Sequence, residues 1–154
     1  MYWFIELITN PYLLTALSAW AVAQVTKAIL NAIITKQFSL ERLFGDGGMP
    51  SGHSATVSSL ATVTALHCGP GSFEFAITAI LAIIVCHDAM GVRLETGKQA
   101  EVINQIVESL SKLSVSKFKE QNLKEFVGHT PLQVFAGILL GIIVAVIMHF
   151  LIMH

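Results

Sequence analysis

Charge is scarce in this 154-residue chain: Asp, Glu, Lys and Arg together make up 12% of it, about half the usual share of a water-soluble domain. With a net charge of −1 there is no bulk basic surface, which removes nucleic acid from the partners to consider. Two cysteines, Cys68 and Cys86, are too few for a disulfide framework and fall at opposite depths of neighbouring predicted helices, so both read as apolar fillers. Residues 1–10 lack a basic region and a small-residue cleavage site, so they do not read as a signal peptide. No internal repeat, low-complexity tract or interdomain linker divides the chain, and residues 1–154 are expected to form a single domain.

What is present instead is apolar. Hydrophobic residues account for 54% of the chain and mean hydropathy is +0.69, values typical of a membrane protein. Crossing the hydrocarbon core of a bilayer takes about 20 apolar residues. Segments 11–34, 51–68, 73–93 and 131–153 meet that need, the second only if its polar start is sheltered by protein. The predicted fold is therefore all-α, an integral membrane bundle of four transmembrane helices, with Tyr2, Trp3 and Phe4 suited to an interfacial anchor.

The basic residues are distributed with complete asymmetry. Lys27, Lys36, Arg42, Arg93, Lys98, Lys112, Lys117, Lys119 and Lys124 all fall on one side of the four spans or at the helix ends facing it. The opposite side has the Gly69-Pro70-Gly71 turn and both termini, with no Lys or Arg. The positive-inside rule then makes the basic side cytoplasmic and turns the termini outward. On the cytoplasmic side, Val102, Ile103, Ile106, Val107, Leu110 and Leu113 recur at helical spacing opposite Glu101, Asn104, Gln105 and Glu108. That pattern predicts an amphipathic cytoplasmic helix on the membrane surface or over the bundle mouth. The lysines 112, 117 and 119 that follow read as a solvated basic face near anionic lipid.

Placed on this topology, the polar residues converge. Residues 47–54, Gly-Gly-Met-Pro-Ser-Gly-His-Ser, open the second span, with Pro50 suited to its first turn. The backbone N–H groups of Ser51, Gly52 and His53 would form an anion cradle at the positive end of the helix dipole. Asp88 and Arg93 end the third span on the same side, and His129 precedes the fourth. In residues 130–133, Thr130 reads as N-cap, Pro131 as the first helical residue and Gln133 as a capping-box partner, or alternatively as the group that holds the His129 ring. Lys27 lies about two turns inside the first span, where an unpaired ammonium costs at least a few kcal/mol, and Gln24 adds a second polar group to the same face. Snorkelling to the interface is the alternative use for that lysine. His67, His149 and His154 lie toward the outer side and receive no chemistry.

These motifs resemble a known family. Pro50-Ser51-Gly52-His53 is similar to the central motif of the type 2 phosphatidic acid phosphatase superfamily, which also contains the vanadium haloperoxidases, and residues 129–137 resemble its third motif. The whole chain is closer to the divergent bacterial branch, whose signatures are the Gly-Gly-Met-Pro-Ser loop, residues 88–93, Gln99-Ala100 with Asn104, Leu123-Lys124-Glu125 and residues 128–131. The resemblance implies that His129 is the nucleophile taking the phosphoryl group and His53 the acid that protonates the leaving oxygen and later activates water. It implies that Arg93 grips phosphate oxygens, that Lys27 (rather than Lys36) is the first-motif lysine, and that Arg42 stands in for that motif's arginine. Lys124 joins the candidate phosphate ligands with Ser51 and Gly52. Gln133 occupies the place of the family's nucleophile-orienting aspartate; a neutral amide does that task less well, so Asp88 or Glu125 is expected to take it over.

The expected function is hydrolysis of a lipid phosphomonoester (phosphatidate, phosphatidylglycerophosphate or a polyprenyl phosphate) at the cytoplasmic face of a bacterial inner membrane, without metal or cofactor. Two alternatives stand beside it. One is a Mg²⁺-dependent phosphotransferase using Asp46, Asp88, Glu95, Glu101 and Glu125, whose spacing matches no metal motif. The other is a non-catalytic lipid-binding or transport component. A homo-oligomer is also open, because Gly137 and Gly141 make a Gly-x-x-x-Gly face that serves helix pairing within the bundle or between subunits.

Overall fold

The helix boundaries follow from local capping chemistry. The computed structural model of the chain describes residues 2–36, 48–112, 123 and 128–152. A short helix α1 (Tyr2–Ile8) is followed by α2 (Pro11–Thr35), which starts where the Asn10 side chain accepts from the N–H groups of Tyr12 and Leu13, and ends at Lys36 in the left-handed region (φ 55°). Helix α3 (Gly52–Cys68) starts at Ser51, whose hydroxyl accepts from Ser54 N–H, and is closed by Gly69. Helix α4 (Phe73–Met90) is capped by Ser72 and closed by Gly91, whose N–H bonds to His87 C=O. Helix α5 (Val92–Lys112) follows directly, and α6 (Pro131–Ile152) ends the described chain.

Two boundaries differ from expectation. Pro50 lies outside α3 instead of in its first turn, because Ser51 takes the capping position and starts the helix at Gly52. The third apolar segment ends as a helix at Met90, not at Arg93, because the Gly91 cap stops it; Arg93 belongs to the first turn of α5. Helix α5 is also longer than its apolar repeat predicts, running from residue 92.

The described residues are helical throughout the regular elements, and three helical stretches are long and apolar enough to cross a membrane: Pro11–Thr35, a window within Phe73–Leu110, and Pro131–Ile152. Their outer faces carry exposed large apolar residues, Ile29, Ile33, Ile83, Ile84, Phe135 and Ile143 among them, which is the surface a bilayer solvates. This is a helical membrane protein.

Helix α3 is the centre of the packing, touching α2, α4 and α6. At 17 residues it is shorter and more polar than its neighbours. Its hydroxyls are satisfied internally: Thr56, Thr62 and Thr64 donate to the carbonyls of Gly52, Ser58 and Leu60, and Ser59 to that of Thr56. A polar helix enclosed by apolar ones therefore leaves these groups no unmet demand.

The interior is made of small side chains. Ala16, Ala19, Ala23, Ala55, Ser54, Ser59 and Ala145 are buried along the seams, which allows close backbone approach in the absence of a hydrophobic drive between helices in lipid. Gly137 and Gly141 carry this furthest. A Cβ on Gly137 would come within 2.5 Å of Ser51 C=O, and one on Gly141 would collide with Ala55 C=O. The Gly-x-x-x-Gly face is thus spent on α3 within one chain.

Candidate functional site

Four helix ends meet at one end of this bundle, and backbone hydrogen bonds hold them there. Ser51 N–H donates to Gln133 C=O (3.0 Å), joining the start of α3 to the start of α6. His129 N–H donates to Ala89 C=O (3.0 Å), joining the residue before α6 to the end of α4. Gly128 adopts φ 97°, a region that favours glycine, and packs so closely on the Arg93–Leu94 backbone that a Cβ would lie 2.6 Å from the Arg93 carbonyl carbon. The roughly thirty-five residues between Arg93 and His129 therefore vanish as a distance in space.

The two histidines stand together, with ring centroids 6.1 Å apart and planes inclined at 56°. They differ in environment: His129 is buried and His53 exposed. Gln133 Oε1 lies 3.3 Å from His129 Nδ1 and also accepts from Thr130 N–H at 3.0 Å, while Thr130 Oγ1 accepts from Gln133 N–H. One amide oxygen thus performs both tasks considered for Gln133, capping α6 and holding the ring. An oxygen that accepts from Nδ1–H leaves the lone pair of the ring on Nε2.

Asp88 is engaged elsewhere. Its carboxylate accepts from Arg93 Nε at 2.7 Å, with both side chains about half exposed. Asp88 therefore braces the arginine rather than the histidine ring. Ser51 also has a different job from that expected of it. It is fully buried, its N–H goes to Gln133 and its hydroxyl caps α3 and bonds Ser54 Oγ. Of the three N–H groups expected in the anion cradle, those of Gly52 and His53 remain, as first-turn donors without an intrahelical partner.

Lys27 is only 5% exposed, and its stem passes Gly48, where a Cβ would lie 3.2 Å from Lys27 Cγ. Gly48 has φ 103°, a conformation that favours glycine, and a Cβ there would press on the Lys27 stem. Lys36, the alternative lysine, is exposed at the end of α2. Arg42 and Lys124 lie outside the described residues, as do Asp46 and Glu125. Among the described residues no three His, Cys, Asp or Glu side chains gather as a metal site; Glu95 is paired with Lys98 at 2.7 Å.

Two features carried no signal that side-chain reasoning could use. The Ala89 carbonyl that receives His129 N–H is a backbone group of an ordinary alanine. Asn104 clamps the peptide of Leu123 from both sides, accepting from its N–H and donating to its C=O, each at 3.0 Å. Only the shared appearance of both residues in the family signatures hinted at that pairing.

The opposite end of the bundle is different in kind. Tyr12 Oη lies 3.3 Å from Cys68 Sγ and its ring meets His67 edge to face at 5.6 Å. Cys68 is exposed and hydrogen-bonded, so it is not the apolar filler expected; Cys86 is buried against Ala89 and Val134.

A helical membrane protein with paired histidines, an arginine and a buried lysine at one bundle mouth defines a class, and the comparisons with known proteins give the family. Residues 8–144 match the model of the Divergent PAP2 family, and the chain belongs to that family. It is similar to the uncharacterized membrane protein YuiD of Bacillus subtilis (strain 168), 39% identical over 157 residues that cover 96% of this chain and 99% of that protein. No solved structure matches.

Proposed function

We propose that the protein is a lipid-phosphate phosphatase working through a phosphohistidine. The observation that carries this reading is the approach of His53 and His129 to 6.1 Å at the mouth where Arg93 and Lys27 also lie. Phosphoryl transfer asks a protein mainly for positioning and for positive charge around three equatorial oxygens. Arg93, Lys27 and the N–H groups of Gly52 and His53 supply that charge. Arg42 and Lys124 remain further candidates for it.

In the first step Nε2 of His129 attacks phosphorus, the P–O bond to the lipid alcohol breaks, and His53 gives its proton to the departing oxygen. In the second, His53 takes a proton from water, the oxygen attacks phosphorus, and the P–N bond breaks to release orthophosphate and neutral His129. Gln133 holds the ring throughout in place of an aspartate. A belt of exposed apolar residues around the helices favours a substrate presented from the bilayer: phosphatidate, phosphatidylglycerophosphate or a polyprenyl phosphate. We further place four spans across the inner membrane, the histidines at the cytoplasmic face and the termini outside, on the charge asymmetry of the sequence; α5 then lies along the membrane surface with Val102, Ile103, Ile106 and Leu110 toward lipid.

The test is phosphate release from a panel of lipid phosphates by purified protein in detergent, with and without a chelator. Turnover that survives the chelator and is lost in both His53→Ala and His129→Ala is the expected result. Full activity in either variant overturns the assignment, and chelator sensitivity moves the mechanism to Mg²⁺. The two rings must start in opposite protonation states, so kcat/KM should be bell-shaped in pH.

A further inference from the structure

Along one face of α2, Trp20, Gln24 and Lys27 follow one another at helical spacing. Lys27 runs over Gly48; the other two run over Gly52, the residue before His53. A carbon placed on Gly52 would lie 3.6 Å from Trp20 Cδ1, 3.9 Å from Trp20 Nε1 and 4.0 Å from Gln24 Cδ. Both side chains thus lie at van der Waals distance from the start of α3.

Gln24 Oε1 is buried and has no hydrogen-bond partner among the described residues. An amide oxygen left so is costly, and as an acceptor it is unsuited to a bare phosphate dianion, which offers acceptors alone. What the oxygen needs is a donor. The indole N–H of Trp20, one turn away, gives it none, although Trp20 Nε1 and the Gln24 amide carbon both lie within 4.0 Å of the same point above Gly52. A hydroxyl group satisfies both at once, giving its proton to Gln24 and receiving one from Trp20.

We propose that Trp20 and Gln24 read a hydroxyl group on the alcohol portion of the substrate, so that the site prefers a polyol phosphate monoester over a phosphate whose alcohol has no free hydroxyl. This rests on the phosphatase reading above. In a glycerol phosphate headgroup the hydroxyl stands on the carbon next to the one bearing the phosphate ester. Bound with its phosphate against Arg93 and Lys27, that headgroup brings its hydroxyl to the Gly52 side of the mouth. A site built to hydrogen-bond a hydroxyl rejects an analogue lacking it more strongly than an apolar pocket rejects an added one. Trp20 and Gln24 are therefore specificity-determining residues.

The experiment compares kcat/KM for phosphatidylglycerophosphate, sn-glycerol 3-phosphate and phosphatidate, which has no free hydroxyl, in wild type, Gln24→Met and Gln24→Glu. Wild type should favour a hydroxyl-bearing substrate by roughly tenfold or more, and Gln24→Met should erase that preference while phosphatidate turnover changes by less than about threefold. Gln24→Glu keeps the acceptor, so it should lower all rates by placing a carboxylate near phosphate yet retain the preference. Comparable use of sn-glycerol 3-phosphate makes the source a free polyol phosphate; use of the lipid alone makes it a membrane headgroup. Equal losses on all substrates, or none, overturn the proposal while leaving the phosphatase reading intact. A wild type that releases phosphate from none of the panel sinks the reading itself. Should Gln24→Met fail to fold, Trp20→Phe keeps the aromatic packing, removes the donor and should weaken the same preference.

Discussion

The two ends of the bundle are built by different means. At the mouth, helix ends are tied by backbone hydrogen bonds, Ser51 to Gln133 and His129 to Ala89, and by a glycine pressed on the Arg93 backbone. At the far end the backbone bonds are local, as in the Gly69–Ser72 turn, the contacts of Tyr12 with His67 and Cys68 join side chains, and the described residues there include no Lys or Arg. Backbone ties do not depend on rotamers and fix position to fractions of an ångström. Exposed side-chain pairs close a helix end without that precision. A site that must hold two imidazoles in register belongs at the first kind of end.

The sharpest way to break this contrast is to remove a histidine from each end. His129→Ala should lower turnover by about 10³-fold or more, whereas His67→Ala should leave it within about twofold, read as kcat on the same lipid phosphate. Equal effects would abolish the distinction. Next comes the tie itself. Gly128→Ala places a Cβ on the Arg93–Leu94 backbone at a φ unsuited to alanine, and should cost roughly 10²-fold in kcat with the helical content preserved by circular dichroism. Third is the seam under the mouth. Gly137→Ala pushes on Ser51 C=O and should destabilise the protein by about 1–3 kcal/mol in detergent, with the loss of activity following the loss of folded protein. The smallest effect belongs to the far end, where Cys68→Ala should change stability by less than about 0.5 kcal/mol and activity not measurably.

Capping was the most legible part of the fold, because it is local. Thr130 with Gln133 can be read as an N-cap pair from their spacing alone, and the structure pairs their side chains and N–H groups reciprocally. The exposed apolar faces of α2, α4 and α6 follow equally from hydropathy. Ser51 illustrates the limit. From the sequence its N–H is one of three donors in an anion cradle, but the fold brings Gln133 C=O to it first. Asp88 illustrates it again: its carboxylate is available to either Arg93 or the His129 ring in the sequence, and geometry gives it to Arg93. Cys68, which composition treats as filler, acquires a hydroxyl partner 56 residues away.

The chain's order of residues alone determined that this is a helical membrane protein and where most of its helices begin and end. Those properties depend on hydropathy and on hydrogen bonds spanning three or four residues, so they need no knowledge of what lies across the bundle. The tertiary structure alone decided that the Gly-x-x-x-Gly face packs inside one chain, that Gln133 rather than Asp88 reaches the His129 ring, and that Trp20 and Gln24 lie over Gly52. Each of these is a choice among competing partners, and only the distance between helices makes it.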